Sequence, residues 1–409
     1  MTDIATLRQI VMDGSAYIRT PRPDLVIREC ARRLEERVKF EVVEVVIGVR
    51  RSGKSTVLYE VGQALLAKGR KVYYINFEDE RFVPVTADLK NILSVIETED
   101  VVLLLDEPQN MPGWERWVRR VHDRGLKVYL TGSNSRLLGS ELATALSGRN
   151  RTHEVFPFSF QEFVELKAPG PTPSDRLTQL LDEYLDAGGY PYPTLTGDPI
   201  HAEYRRDIVE RDILLRHRIA DPERFRRFVR FVLSNPGVTL SKKRIKGFLD
   251  IHHTTMRKYI AYMEDAYLLI TLEKHGRSQR VQMQNPKKAY PIDNGLLLDK
   301  SGRGSLLESV VVQHIRRFYP KLYYWKDERG REVDIYLPET NTAIQVTYEV
   351  NPQNIRREEA ALDSAERELG CTGFLVYMYG TGVTRHRSIH APELLLRDPS
   401  EALGKTKKI

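Results

Sequence analysis

Two short stretches carry most of the chemistry that this sequence could perform. The first is G-x-x-x-x-G-K-S, Gly48 to Ser55. Gly48 and Gly53 permit a loop whose amides point inward around phosphate, with Arg51, Ser52 and Thr56 in the same turn. Lys54 then reaches the β- and γ-phosphates and Ser55 ligates magnesium. The second is "VVLLLDEPQN", where Asp106 suits a carboxylate that holds magnesium and Glu107 suits the base that polarises an attacking water. Together they predict ATP and Mg as cofactors and hydrolysis as the reaction. Ser133 and Asn134, in "YLTGSNSRLL", either sense the γ-phosphate or form a plain polar turn. Arg149 and Arg151 either stabilise charge, in their own chain or a neighbouring subunit, or make surface ion pairs.

These residues need a scaffold that brings loop ends together. Val42 to Ile47 is an apolar run ahead of the glycine loop, and Val57, Leu58, Val61, Leu65 and Leu66 give the helical pattern after it. Val101 to Leu105 is continuously apolar, as in a parallel strand covered on both faces. Val72 to Phe77 and "LKVYLT" supply further strands, separated by helical segments. The alternation predicts an α/β fold, a three-layer parallel sheet over residues 40–165, with ligands at the carboxyl ends of the strands. Trp114 and Trp117 read as core or interface residues.

At 409 residues, two to four domains are expected, and 41% hydrophobic with 29% charged residues is a soluble globular composition. No apolar run approaches the roughly 20 residues that a membrane span needs. No secretory signal is read at the start, and Cys30 and Cys371 form no metal-spaced cluster, so a reducing cytoplasm is expected. The net charge of +7 is concentrated: residues 201–290 hold 20 Lys+Arg against 10 Asp+Glu. Such a local excess points to a polyanion, DNA above all, or to a solvated surface.

The order of elements in 204–290, several helices and then a β-rich end, predicts a winged helix-turn-helix. Its recognition helix begins near His253 and presents Thr254, Thr255, Arg257 and Lys258 outside a core face of Met256, Ile260 and Met263. Lys242, Lys243, Arg244 and Lys246 flank it as phosphate contacts, and Lys274, Arg277, Arg280, Lys287 and Lys288 extend the basic track. A winged helix also serves as an ATPase lid or a protein-docking unit.

"GVRRSGKST", "LLLDEPQNMPGWERWV", "YLTGSNSRLL", "LSGR", "PFSFQEF" and "GGYP" occur in the order seen in a family of archaeal and bacterial AAA-superfamily P-loop ATPases, which the chain resembles. The resemblance implies an N-terminal helical segment (1–39), the ATPase (40–165), a helical connector (166–203), the winged helix (204–290) and a restriction-endonuclease-like C-terminal domain (291–409). An active nuclease of that type would use Glu308, Asp334 and an acid at 345 to hold magnesium, with a lysine at 347. Here those last two positions are Gln345 and Thr347. Losing a carboxylate weakens the hold on a hard cation, and losing the lysine removes a charge that helps the transition state. The expectation is a nuclease fold without nuclease activity, with Glu332 or Glu349 as substitute acids.

The functional expectation is a cytoplasmic, Mg-dependent ATPase that binds DNA through the basic region, with branched DNA in repair or recombination as the setting drawn by analogy and homo-oligomerisation left open. The alternatives are a nucleotide-controlled signalling or defence switch that docks a protein, and an active ATP-dependent nuclease.

Overall fold

Short apolar runs bounded by turn residues become strands, and longer amphipathic runs become helices, in each of two compact units, Met1–Phe156 and Pro157–Ile409. The computed structural model describes residues 1–22, 25–39, 41–97, 99–132, 146, 148–247, 249, 251–276, 285–380 and 385–404. Among these, no helix is long and apolar enough to cross a membrane.

The first unit contains α1 (Ile4–Arg19), α2 (Glu29–Glu35), β1 (Val43–Ile47), α3 (Lys54–Ala67), β2 (Lys71–Asn76), α4 (Thr86–Val95), β3 (Val101–Asp106), α5 (Trp114–Asp123), β4 (Lys127–Gly132) and β5 (Asn150–Glu154). The strands form one sheet in the order β2-β3-β4-β1-β5, every pairing parallel. The α/β expectation with a parallel sheet therefore holds here. Val102, Leu104, Val46 and Tyr129 share a core with Ile18 of α1, Ala31 and Leu34 of α2, and Val57, Val61 and Leu65 of α3. Residues of the other parity, Leu103, Leu105, Val128 and Leu130, are equally dry, so both faces of the sheet are covered. Trp114 and Trp117 are buried on α5, which packs against β4.

The helices α1 and α2 thus share the core of the sheet. Gly14, inside α1, shows how close the approach is: a Cβ there would lie 2.0 Å from the Tyr74 carbonyl oxygen of β2. A helix-interior glycine costs about 1 kcal/mol relative to alanine, and here the contact requires it.

The second unit begins with α6 (Phe160–Lys167), α7 (Ser174–Ala187), the single turn α8 (Pro191–Thr196) and α9 (His201–Asp207), which continues into a π-helical segment, Ile208–Leu214. Next come α10 (Pro222–Leu233), β6 (Val238–Thr239), α11 (Lys242–Lys246), α12 (His253–Asp265), β7 (Leu269–Lys274) and β8 (Lys288–Pro291). The chain continues through α13 (Arg303–Arg316), β9 (Tyr323–Lys326), β10 (Glu332–Leu337), β11 (Thr342–Glu349), α14 (Ile355–Leu369), β12 (Thr372–Tyr379), β13 (Arg387–His390) and α15 (Ala391–Leu395). Its strands form one eight-stranded mixed sheet, β13-β12-β11-β10-β9-β7-β8-β6.

The join in that sheet is β7 against β9, parallel, with Glu273 opposite Tyr323 and Lys274 opposite Tyr324. The helix-and-hairpin segment before residue 291 and the strands after it are therefore hydrogen-bonded into one sheet. The "GGYP" stretch is tied to the same unit. Gly188 has φ +71, and a Cβ there would meet Asp293 Oδ1 at 2.0 Å. The Asp293 carboxylate accepts from Gly189 N at 2.7 Å and Gly295 N at 2.8 Å.

Candidate functional site

The parallel sheet sets the site by placing loop ends side by side. β4 lies between β1 and β3, so the loop after β1 and the acidic pair after β3 open on the same carboxyl edge. In the loop after β1, Gly48 has φ +152, Arg51 φ +67 and Gly53 φ +96. This alternation of hand turns successive amides inward, and it ends at the N-terminus of the 14-residue α3, a ready anion site. Gly48 is required twice, because a Cβ there would also lie 2.1 Å from the Val155 carbonyl oxygen. Lys54 is buried, and its ammonium donates to the carbonyl oxygens of Gly48 at 3.2 Å and Val49 at 3.1 Å.

A residue outside the motif braces the loop. Arg28, only 3% exposed, donates to the Ser52 carbonyl oxygen at 2.8 Å and the Phe156 carbonyl oxygen at 2.7 Å. No local sequence signal marks this arginine, because its partners lie 24 and 128 residues away.

Asp106, at the end of β3, is held by two hydroxyls. Tyr74 of β2 donates to Oδ2 at 2.6 Å, and Thr131 of β4 donates to Oδ1. The neighbouring strands make this possible, since Asn76 pairs with Asp106 across β2 and β3. Burial, reinforced by the charge of Asp106, pushes the Tyr74 phenol well above its ordinary range, so it remains a donor at any working pH. Thr131 also accepts the Glu107 amide at 3.1 Å, fixing the backbone there in a left-handed conformation with φ +52. Burial raises the Glu107 carboxyl, opposed by Lys54 and assisted by the charge of Asp106. Gln109 donates to the Glu107 carboxylate.

The glycine loop, Lys54, Ser55 and the oriented Asp106 fit a nucleotide and its magnesium ion, with Thr56 next on the same helix. Ser133 and Asn134 lie outside the described residues. Arg149 does not join the site of its own chain. It sits at the amino-terminal edge of the sheet, where its carbonyl accepts the Val43 amide and its guanidinium pairs with Asp123 at 2.6 Å. The phosphate loop lies at the other end of β1. Arg151 is exposed on the edge strand β5.

In the second unit, α12 buries Met256, Tyr259, Ile260 and Met263 and leaves Thr254, Arg257 and Lys258 exposed, with Thr255 half-buried. Lys243 and Arg244 are exposed on α11. Lys242 and Lys246 belong to the same helix, and their side chains lie outside the described residues, as do Arg277 and Arg280. A groove of about 550 Å³ runs between α12 and the hairpin, bordered by Lys243, His253, Arg257 and Lys287. The expected basic track is shorter than its composition suggested. Lys287 pairs with Glu264 at 3.1 Å, and Lys288 is buried among carboxylates.

The nuclease-like positions partly converge. Glu308 of α13, Glu332 and Asp334 of β10 all meet the Lys288 ammonium, at 3.1, 2.7 and 3.3 Å. Asp334 Oδ2 also accepts the Val346 amide at 3.0 Å. Gln345 donates instead to Glu358 of α14 at 2.8 Å. Thr347 turns to the Glu349 carbonyl oxygen at 3.1 Å. Lys288 is the member of this cluster that the strand motif could not reveal, because it comes from β8.

The family described as an AAA domain matches residues 41–164. Two domains of unknown function, DUF8612 and DUF4143, match residues 178–306 and 303–393. An uncharacterized protein of Methanocaldococcus jannaschii is 32% identical over 369 residues, covering 83% of this chain and 82% of its own length. Another from Haemophilus influenzae is 26% identical over 358 residues, covering 80% and 88%. Among solved structures, AMPPCP-bound DnaA from Aquifex aeolicus overlaps 58% of this chain and 86% of that one, with 14% identity and a TM-score of 0.31.

Proposed function

Because the chain belongs to the family of the Methanocaldococcus jannaschii protein and carries an AAA domain ahead of two domains of unknown function, we propose that it is a magnesium-dependent ATPase that acts on DNA. The observation that carries the ATPase reading is the meeting of Lys54, Ser55, Asp106 and Glu107 on one edge of the sheet, with β4 between their strands. The loop amides and Lys54 bind the phosphates, Ser55 and Asp106 hold magnesium, and Glu107 draws the proton from the attacking water. Magnesium held there would supply charge neutralisation to the phosphates. Burial of Glu107 favours this role, since a carboxyl raised toward the working pH is a better base.

The DNA reading rests on the second unit. Its order of helix, short strand, two helices and hairpin supports the reading of a winged helix-turn-helix, with α12 as recognition helix. Thr254, Arg257 and Lys258 point away from its core, and Lys243 and Arg244 stand ready for phosphates. The order of the strands from β9 onward, with α13 and α14, supports the nuclease-like reading. With Gln345 engaged by Glu358 and Thr347 turned away, that fold serves as a platform without cleavage.

The test is ATP turnover by the full chain with no nucleic acid, duplex DNA, single-stranded DNA and a four-way junction, scoring the same reactions for cleavage. Stimulation by one DNA form without cleavage supports the proposal. Turnover that ignores every DNA, together with no binding, transfers the basic surface to a protein partner.

A further inference from the structure

The carboxylates that a nuclease of this fold would use for metal are engaged by a cation of the chain itself. The Lys288 side chain is 6% exposed, and its three N–H donors face three carboxylates: Glu308 at 3.1 Å, Glu332 at 2.7 Å and Asp334 at 3.3 Å. Tyr290, two residues along β8 and fully buried, donates to the same Glu308 oxygen at 2.5 Å. A magnesium ion needs these oxygens drawn in to about 2.1 Å in near-octahedral geometry. Around the ammonium they stand at hydrogen-bonding distances, which is too wide a shell. A divalent ion among the same oxygens would also lie within a few ångströms of a buried positive charge, where repulsion is weakly screened. The residues present therefore do not fit the metal that the fold implies.

We propose that the Lys288 ammonium is the resident cation of this carboxylate cage, and that replacing it with a neutral side chain opens a divalent-cation site built from Glu308, Glu332 and Asp334. The ammonium does two things at once. It neutralises part of the charge of a largely buried cluster, in which Glu332 also pairs with Lys326 at 3.0 Å, and it ties β8 of the hairpin to α13 and β10. Its neighbours oppose the burial that would discharge it, and they hold its proton well above the ordinary lysine range. Asp334, buried beside Glu308, is displaced upward by burial.

The experiment is a Mn²⁺ titration of nucleotide-free full-length protein, followed by isothermal calorimetry, on wild type, Asp334→Asn, Lys288→Met and the double variant. Wild type and Asp334→Asn should bind Mn²⁺ identically. Lys288→Met should gain one site at least tenfold tighter than any in the wild type, and the double variant should lose it. A Mn²⁺ site in the wild type that Asp334→Asn removes would overturn the proposal, as would no gain in folded Lys288→Met. If Lys288→Met does not fold, Lys288→Gln carries the same comparison, and a wild-type Mn²⁺ site that Asp334→Asn removes overturns the proposal by itself. ATP turnover on the same samples reports on the other unit's site, so the cage inference and the ATPase reading can fail independently.

Discussion

Removing one oxygen atom tests how the ATPase site is built. In Tyr74→Phe the ring remains, stacked on Tyr17 with centroids 5.0 Å apart, so packing is kept. The hydroxyl that donates to Asp106 Oδ2 at 2.6 Å is lost. A hydrogen bond to a buried charged group contributes about 1.5–3 kcal/mol. At roughly 1.4 kcal/mol per factor of ten, its loss converts to about a 10- to 150-fold weaker hold on the oriented carboxylate. Thr131 still donates to Oδ1, so Asp106 is loosened but not released. The expected result is a higher magnesium requirement with a smaller fall in saturated turnover, read from steady-state ATP hydrolysis over a magnesium titration. Asp106→Asn should abolish turnover in the same assay. Turnover by Tyr74→Phe within twofold of wild type at every magnesium concentration would refute the orienting role of Tyr74.

Other consequences follow from the same geometry. Glu107→Gln should slow hydrolysis by about 10²–10⁴-fold while retaining ATP, and its thermal midpoint at neutral pH should not fall, because a half-buried, desolvated charge has been removed. The acid limb of wild-type turnover should lie above the ordinary glutamate range, since Glu107 must lose its proton to act and burial raises its pKa. Lys54→Ala should weaken nucleotide binding, measured by fluorescent-nucleotide titration. Replacing Lys243 and Arg244 by alanine should flatten the log–log salt dependence of duplex binding by about 1.8, at roughly 0.9 per phosphate contact. Asp293 is pushed up to about 6 by burial, so the folded chain keeps this proton longer than the unfolded chain does. Its contribution to stability is therefore full below the ordinary carboxyl range and is lost as pH rises to about 6, and denaturant unfolding of Asp293→Asn should lack that slope.

The sequence alone determined the phosphate loop, the acidic pair and the strands that carry them, because these depend on short-range spacing and on apolar runs that only a covered parallel strand explains. The core face of α12 was legible for the same reason, since Met256, Ile260 and Met263 recur at helical spacing. Contacts between distant segments were not legible. Only the tertiary structure decided that α1 and α2 belong to the core of the sheet, that Arg28 braces the loop, and that Tyr74 and Thr131 share Asp106. It also placed Arg149 at the far edge of the sheet and turned Lys288 from a member of the expected basic track into the centre of a carboxylate cage. The physical reason is the same in each case. Composition records how many charges a segment carries, but which way a charge faces is set by the strand register, and by the energetic need to pair whatever that register buries.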